Sequence, residues 1–257
     1  MRRNVDLRRL TGHRSHDAAE LIDRWVRAGA RCGWQTEELT RSAGFPVLAL
    51  HSPASGRNGL YISAGMHGDE AAPPWALLDW FETEGHRLRD RPITLFPCLN
   101  PWGLVTNSRL NEMGEDLNRQ FHREDHPLVN AWRSCIQERR YALSLCLHED
   151  YDAQGVYVYE LYRSGAERVA TRLLGAAADQ IPVDPRGKID GRAATSGIIR
   201  RSRIPADLPG HPEAIALHSL GFTRHNLTFE TPSEFSLDVR IDAHRSFIDA
   251  AVQYLGW

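Results

Sequence analysis

Two residues with the chemistry of metal ligands lie three positions apart in the segment His67-Gly68-Asp69-Glu70. The segment follows a short apolar run and enters a helical pattern, and residues i and i+3 lie side by side on one helical turn. His67 and Glu70 can therefore point the same way and supply half of a tetrahedral zinc site, and a catalytic zinc commonly has two histidines, one glutamate and a water. The alternative is a polar turn in which Glu70 favours the N-terminus of the following helix.

Further polar motifs follow in a defined order along the chain. They are Asn100-Pro101-Trp102-Gly103, Arg109-Leu110-Asn111, Gly114-Glu115-Asp116-Leu117-Asn118-Arg119, His148 after the apolar run YALSLCL, and Glu230 at the end of HNLTFE. In this order they resemble the zinc carboxypeptidases of the carboxypeptidase A superfamily. That superfamily also contains the murein-peptide amidases and the succinylglutamate desuccinylase and aspartoacylase branch. The resemblance covers about residues 45–235.

The resemblance implies a metal centre with a general base. His67, Glu70 and His148 would bind one Zn²⁺ per chain, and Glu230 would act as the base. Zinc is a Lewis acid that lowers the pKa of water towards ~7. A glutamate next to that water can accept its proton and pass it to the leaving amine.

The resemblance also implies a group of substrate-binding residues. Arg109 would polarise the scissile carbonyl and stabilise the oxyanion, while Asn118 and Arg119 would bind the terminal carboxylate of the substrate. The planar guanidinium of arginine suits this role because it binds a carboxylate through two parallel hydrogen bonds. Asp116 is expected to orient a ligand or an arginine.

Two features depart from the common carboxypeptidase pattern. Glu149 and Asp150 follow His148 directly, where they could hold the second nitrogen of the histidine or form a pocket that prefers cationic side chains. The segment 182–213, the expected loop before the base, contains no tyrosine. The tyrosine that assists many carboxypeptidases is therefore either absent or replaced by a group such as Arg192, Arg200 or His211.

Three functions remain open at this point. The first is a metallocarboxypeptidase that hydrolyses the amide bond next to a free C-terminal carboxylate, including its murein-peptide amidase form. The second is an N-acyl amino-acid deacylase of the succinylglutamate desuccinylase and aspartoacylase type. The third is a zinc-binding pseudoenzyme, against which the presence of both Glu230 and Arg109 counts. The expected partner is a small peptide or acyl amino acid with a free carboxylate.

The elements that must position these residues alternate between short apolar strands and amphipathic helices. Strands are predicted at 46–51, 60–65, 93–101, 141–149, 155–161 and 225–232, and helices at 16–30, 73–85, 126–140, 167–180 and 238–257. This alternation predicts an α/β fold with a mixed, mostly parallel sheet covered by helices on both faces. Ligands of such sheets bind beyond the carboxyl ends of the strands, where the polar motifs lie. Residues 182–213 have little periodicity and are predicted to form the longest loop, a candidate rim or lid.

The composition sets limits on the class of protein. The chain has 257 residues, 42% of them hydrophobic and 25% charged, with a net charge of −2. These values favour one catalytic domain over residues 1–257 and no nucleic-acid partner, because phosphate binding normally requires an excess of lysine and arginine. No apolar stretch has the length of a signal sequence or a membrane span, so we expect a cytoplasmic enzyme. The sequence leaves the oligomeric state open, and its four scattered cysteines favour reduced thiols.

Overall fold

The structure is a computed structural model, and it describes residues 15–163, 169–204 and 210–257. The strands are β1 (Gln35–Ser42), β2 (Phe45–His51), β3 (Gly59–Ser63), β4 (Ile93–Phe96), β5 (Tyr141–Asp150), β6 (Tyr157–Tyr162), β7 (Lys188–Ile189), β8 (Arg192–Ala193), β9 (Ile198–Arg201) and β10 (His225–Pro232). The helices are α1 (Ala18–Cys32), α2 (Ala72–Glu84), α3 (Pro101–Thr106), α4 (Pro127–Ile136), α5 (Ala170–Ala177), α6 (Glu213–Ser219) and α7 (Leu237–Tyr254). A short 3₁₀ helix spans Leu117–Arg119.

Eight strands form one sheet in the order β1-β2-β4-β3-β5-β10-β6-β9. The four central strands β4, β3, β5 and β10 are mutually parallel, while β1 is antiparallel to β2, β2 to β4, and β6 to β10. β9 runs parallel to β6 at one edge. The predicted single-domain α/β fold with a mixed, mostly parallel sheet is thereby confirmed.

Helices cover both faces of this sheet. One face packs against α1, α2, α5 and α7 through a large apolar cluster that includes Leu145, Leu227 and Phe229. The other face packs against α4 and α6 through a smaller cluster that includes Tyr61, Phe96 and Trp132. The central strands β3, β4 and β5 are buried on both faces and their sequences are mostly apolar, whereas β10 alternates between apolar and polar residues. The part of the smaller-cluster face that α4 and α6 leave uncovered is where the candidate site lies.

The prediction of one long loop at 182–213 is only partly correct. It contains the small hairpin of β7 and β8 and the edge strand β9, and it ends at the start of α6. β9 has the sequence IIRR, and its pairing with β6 rests on backbone hydrogen bonds that a hydrophobic pattern does not reveal. The polar edge strand β1 was missed for the same reason.

Parts of three predictions fall outside the described residues: the N-terminal residues 1–14, the first two positions of the predicted helix 167–180, and residues 205–209 of the predicted loop. None of the helices in the described part of the chain combines the length and apolar character needed to cross a membrane.

Candidate active site

The polar motifs converge because four parallel strands end at the same edge of the sheet. His67 follows β3 and Asn100 follows β4, while His148 and Glu230 lie near the carboxyl ends of β5 and β10. In the parallel pairing of β5 and β10, Glu230 is the direct partner of His148. Two side chains in register on neighbouring strands lie on the same face, so these two enter the same pocket.

Three buried side chains could hold a metal ion. One donor atom from each of His67, Glu70 and His148 lies within 4.8 Å of the others. The two carboxylate oxygens of Glu70 face the two imidazoles, at 2.5 Å from His67 Nδ1 and 2.8 Å from His148 Nδ1. Two imidazole nitrogens and one carboxylate form the ligand set that zinc hydrolases commonly use, so these residues fit a zinc ion.

The turn that carries His67 and Glu70 needs glycine to reach this position. A Cβ on Gly68 would lie 1.8 Å from the backbone carbon of Gly103, inside α3. Gly68 also donates its N–H to the carbonyl of Ser108 at 2.9 Å. Asn100 caps α3 by accepting from the N–H of Gly103. The backbones of the motifs HGDE and NPWG therefore pack directly against each other.

Asp116 links a candidate metal ligand to a candidate catalytic arginine. Its Oδ1 lies 3.1 Å from His67 Nε2, and its Oδ2 accepts from Nε and Nη2 of Arg109 at 3.2 and 3.0 Å. Arg109 Nη1 is 3.3 Å from His67 Nδ1, so the guanidinium lies beside the proposed metal position. The expectation that Asp116 orients a ligand or an arginine is met for both.

The ionisation of these groups is strongly coupled. Burial alone would lower the pKa of His67. The carboxylate of Glu70 and the hydrogen bond to Asp116 outweigh this effect and raise the pKa to about 9. Burial opposes ionisation of Glu70, yet the two imidazoles hold its pKa below the usual range. The three groups therefore form a tight ionic cluster.

Glu230 is a buried carboxyl group in the same pocket. Burial raises its pKa well above the usual range, and although His148 opposes this shift, the carboxylates of Glu70 and Asp150 reinforce it. A carboxyl group with a raised pKa can hold a proton and release it near neutral pH, which is what general acid–base chemistry requires. A cation bound at the adjacent cluster would favour its ionised form.

The pair Asn118 and Arg119 reaches the pocket from the 3₁₀ helix. Asn118 Oδ1 accepts from the backbone N–H of Glu213 at 3.0 Å, which ties the pair to the start of α6. Arg119 donates from Nη1 to the carbonyl of Asn118 at 2.9 Å and lines the pocket. Arg109 and Arg119 thus both face one cavity of about 450 Å³.

Residues to which the sequence analysis gave no role complete the pocket, together with Arg192. Tyr157 on β6 is the register partner of Glu230, and Tyr159 is the partner of Thr228, so both tyrosines lie on the pocket face. Their hydroxyls donate to Asp150 and Asp190 at 2.9 and 2.8 Å. The sequence signal that could have identified these pocket residues is the pair of tyrosines two positions apart, at 157 and 159, in a predicted strand. Arg186, Arg192 and Arg201 also line the pocket, so the segment 182–213 does contribute to its rim.

Three of the alternatives that the sequence left open, for Glu149, Arg200 and His211, are wrong. The carboxylate of Glu149 does not hold His148, since it accepts from the N–H of Ala72 and from Arg240, and its buried side chain is not free to select a substrate cation. Arg200 cannot replace a catalytic tyrosine, because it is paired with Glu160 on the other side of β6. His211 is in edge-to-face contact with His122 and does not line the pocket, whereas Arg192 does.

The chain is similar in sequence to known amide hydrolases. Residues 57–152 match the succinylglutamate desuccinylase/aspartoacylase catalytic domain. Over 108 residues the chain is 35% identical to murein peptide amidase A of Escherichia coli. That match covers 40% of this chain and 44% of the relative, so the chain matches less than half the length of this curated protein.

Solved structures share the fold over nearly the whole chain. A protein of Shewanella amazonensis that was assigned to the metallopeptidases is 27% identical with a TM-score of 0.84, and the match covers 94% of both chains. A metallo-carboxypeptidase of Burkholderia cenocepacia is 16% identical with a TM-score of 0.67, over 93% of this chain and 69% of the other. The second similarity concerns the fold alone. Together these findings confirm the resemblance to the zinc carboxypeptidase superfamily.

Proposed function

We propose that this protein is a zinc-dependent metallocarboxypeptidase that hydrolyses the amide bond next to a free carboxylate of a small peptide. The observation that carries the proposal is the convergence of His67, Glu70 and His148 within 4.8 Å, beside a buried carboxyl group at Glu230. The similarity to amide hydrolases and metallopeptidases supports a hydrolase of this kind.

The residues around the proposed metal position have the following proposed tasks. When bound by His67, Glu70 and His148, zinc supplies Lewis acidity that polarises a carbonyl and acidifies water. Glu230 takes a proton from the attacking water and delivers it to the leaving nitrogen. Arg109, held by Asp116, stabilises the negative charge that develops on the carbonyl oxygen.

The recognition of the terminal carboxylate is assigned to Asn118 and Arg119. The 3₁₀ helix and the anchor on α6 hold this pair in the cavity together with the metal ligands. Such a fixed arginine orients the substrate so that its last amide bond lies over the reacting groups. This arrangement requires a small anionic end on the substrate.

Murein-peptide amidase activity is a second candidate that one specific observation favours. The pocket carries charges of both signs, with Arg201 on β9 and Asp150 at the end of β5. A cell-wall peptide that ends in diaminopimelate has a second ammonium and carboxylate pair that could contact both.

The N-acyl amino-acid deacylase activity is the third candidate, supported by the family match over residues 57–152. We also propose a single catalytic domain over residues 1–257, a cytoplasmic location and no nucleic-acid partner.

A substrate panel with and without a chelator tests the proposal. It contains dipeptides with basic, acidic and apolar C-termini, N-acetyl-aspartate and a murein tripeptide, with each peptide also in its C-terminally amidated form. We expect cleavage of free-acid peptides only, and loss of activity with the chelator that Zn²⁺ restores. Preferential cleavage of N-acetyl-aspartate would favour the deacylase instead.

The variant Arg119→Ala is expected to raise KM for free-acid substrates by roughly 10–100-fold, the loss of about 1.5–3 kcal/mol of a charged hydrogen bond. The exposed Arg172 on α5 provides the matched control, and Arg172→Ala should leave KM unchanged. Amidated peptides cleaved as fast as free acids would refute the exopeptidase assignment.

A further inference from the structure

A second cluster of possible metal ligands lies at the opposite end of the sheet from the catalytic pocket. One donor atom from each of Glu37 on β1, His51 at the end of β2 and Cys135 on α4 lies within 4.8 Å of the others. His51 pairs with Thr94 near the start of β4, whereas the catalytic residues follow the carboxyl ends of β3, β4 and β5. The two clusters therefore share no residue.

The spacing of the donor atoms fits a tetrahedral ion. His51 Nε2 is 3.3 Å from Cys135 Sγ and 3.5 Å from Glu37 Oε2. For bonds of about 2.3 Å to sulfur and about 2.0–2.1 Å to nitrogen or oxygen, tetrahedral angles place sulfur and nitrogen ~3.5 Å apart and nitrogen and oxygen ~3.3 Å apart. Both observed distances agree with these edges within a few tenths of an ångström.

The histidine is already oriented for coordination. Its Nδ1 lies 3.3 Å from Thr94 Oγ1. With the proton on Nδ1, that N–H would donate to the threonine and the lone pair of Nε2 would face the other two donors. Metal-bound histidines are commonly fixed through their second nitrogen in this manner. The imidazole is buried, whereas the Glu37 side chain is 44% exposed, so the cluster is accessible from solvent on the Glu37 side.

The buried His51 and the partly buried Cys135 would bind the ion as a neutral imidazole and a thiolate. Burial and the nearby charge of Arg139 lower the pKa of His51 to about 4, which keeps the imidazole neutral at physiological pH. Burial raises the pKa of the Cys135 thiol, and Glu37 adds to this. A divalent ion would therefore displace one proton from the thiol as the sulfur–metal bond forms.

We propose that Glu37, His51 and Cys135 form a second, structural metal site for a zinc-like divalent ion. A thiolate and an imidazole select borderline ions such as Zn²⁺ or Co²⁺ over Mg²⁺ or Ca²⁺. The edge strand β1 is already hydrogen-bonded to β2, and the bound ion joins helix α4 to this pair of strands. Its role is to fix this corner of the sheet, and it takes no part in the proposed hydrolysis.

Cobalt titration of the metal-free protein tests the site. The candidate active site contains no sulfur ligand, so a thiolate-to-cobalt absorption band reports on Cys135 independently of the proposed function. We expect a band whose final amplitude corresponds to one thiolate-bound Co²⁺ per chain, with a second Co²⁺ taken up by the catalytic ligands without such a band, and we expect the band to be absent in Cys135→Ser. The buried Cys32 gives the matched control, and Cys32→Ala should keep the band. The absence of any band in the unaltered protein, or its persistence in Cys135→Ser, would overturn the proposal.

Zinc content gives a second, independent measurement. In the double variant His67→Ala and His148→Ala we expect one Zn²⁺ per chain to remain, and none after the further change Cys135→Ser. If Cys135→Ser fails to fold, as seen by circular dichroism, the exposed Glu37→Gln replaces it and should weaken cobalt binding at least tenfold. Unchanged cobalt affinity in a folded Glu37→Gln would also contradict the site.

Discussion

Each candidate catalytic side chain is held in position by a second group, and this support decides its chemistry. Asp116 contacts both His67 and Arg109, and the register of β5 and β10 places Glu230 beside His148. Two carboxyl groups in one pocket therefore have opposite tendencies, since the imidazoles favour ionised Glu70 while burial favours protonated Glu230. A carboxylate that binds a metal must be ionised, and a proton shuttle must be able to take and release a proton.

The first prediction concerns the base. Glu230→Gln keeps the size of the side chain but cannot accept a proton, so kcat should fall by about 10²–10⁴-fold. The metal ligands are unchanged, and zinc content measured by elemental analysis should stay near one equivalent at the active site. Wild-type turnover in this variant would show that Glu230 is not the base.

The second prediction concerns the residue that orients the metal ligand. Asp116→Asn should lower the affinity of the active site for zinc by about 10–100-fold, because the amide accepts weakly from His67 and loses the ion pair with Arg109. Competition against a chelator measures this change. The exposed Asp125 lies nearby in the sequence, so Asp125→Asn serves as the control and should bind zinc normally. Equal affinities in both variants would contradict the role given to Asp116.

At the scale of secondary structure, buried carboxylates join elements that surround the site. Glu149 joins β5 to the start of α2 and to Arg240 on α7. Glu160 on β6 accepts from His225 on β10, from Arg200 on β9 and from the N–H of Ala170 at the start of α5. The side chains of Glu149 and Glu160 point to the opposite face of the sheet from Glu230. We therefore assign them a role in positioning strands and none in the chemistry.

The third prediction uses Glu160 as a pH-dependent link. Burial would raise its pKa, but the hydrogen bonds from His225, Ala170 and Arg200 lower it below its ordinary value of 4.5. A depressed folded-state pKa stabilises the protein above the unfolded value and loses this contribution as the pH falls through the folded pKa. Glu160→Gln should therefore cost about 1–3 kcal/mol of unfolding free energy at neutral pH and progressively less below about pH 4.

Urea denaturation over a pH series measures this difference. The exposed Glu124 pairs with Arg133 at the surface, and Glu124→Gln should change stability little at any pH. A penalty for Glu160→Gln that is the same in acid as at neutral pH would mean that its charge contributes nothing.

At the scale of the whole molecule, the two faces of the sheet have different tasks. The face beneath α2 and α7 is a continuous apolar core, in which Phe229 of β10 stacks on Phe247 of α7 at 4.1 Å. The adjacent residue, Glu230, points to the other face and enters the pocket. Because successive side chains of a strand point to opposite faces, β10 contributes one residue to the core and the next to the candidate site.

The fourth prediction separates stability from chemistry on this strand. Phe247→Ala should lower the free energy of unfolding by about 3–5 kcal/mol, because it leaves a cavity in the largest core. Well below the melting temperature, kcat should change little, since Phe247 lies across the sheet from the pocket. Val26 is 46% exposed, and Val26→Ala is the control with an expected change within about 0.5 kcal/mol. A loss of kcat without a loss of stability would contradict this division.

The sequence by itself determined the class of fold and the principal candidate residues. Buried parallel strands are rich in apolar residues, so β3 and β5 are visible as apolar runs and β10 as a shorter one, and the motif HGDE, His148 and Glu230 lie at their ends. The order of these motifs along the chain was sufficient to indicate a metal-dependent hydrolase.

Only the tertiary structure decided which carboxylates and arginines share the pocket. Glu149 and Glu230 are both buried glutamates at strand ends, yet the pleat turns them to opposite faces, and no local pattern specifies that outcome. The pocket tyrosines Tyr157 and Tyr159 depend in the same way on the antiparallel register of β6 against β10. Likewise, Glu37, His51 and Cys135 are distant in sequence and meet only because α4 packs on the edge of the sheet. Contacts of this kind arise from strand order and helix packing, which the sequence specifies only through the folded chain as a whole.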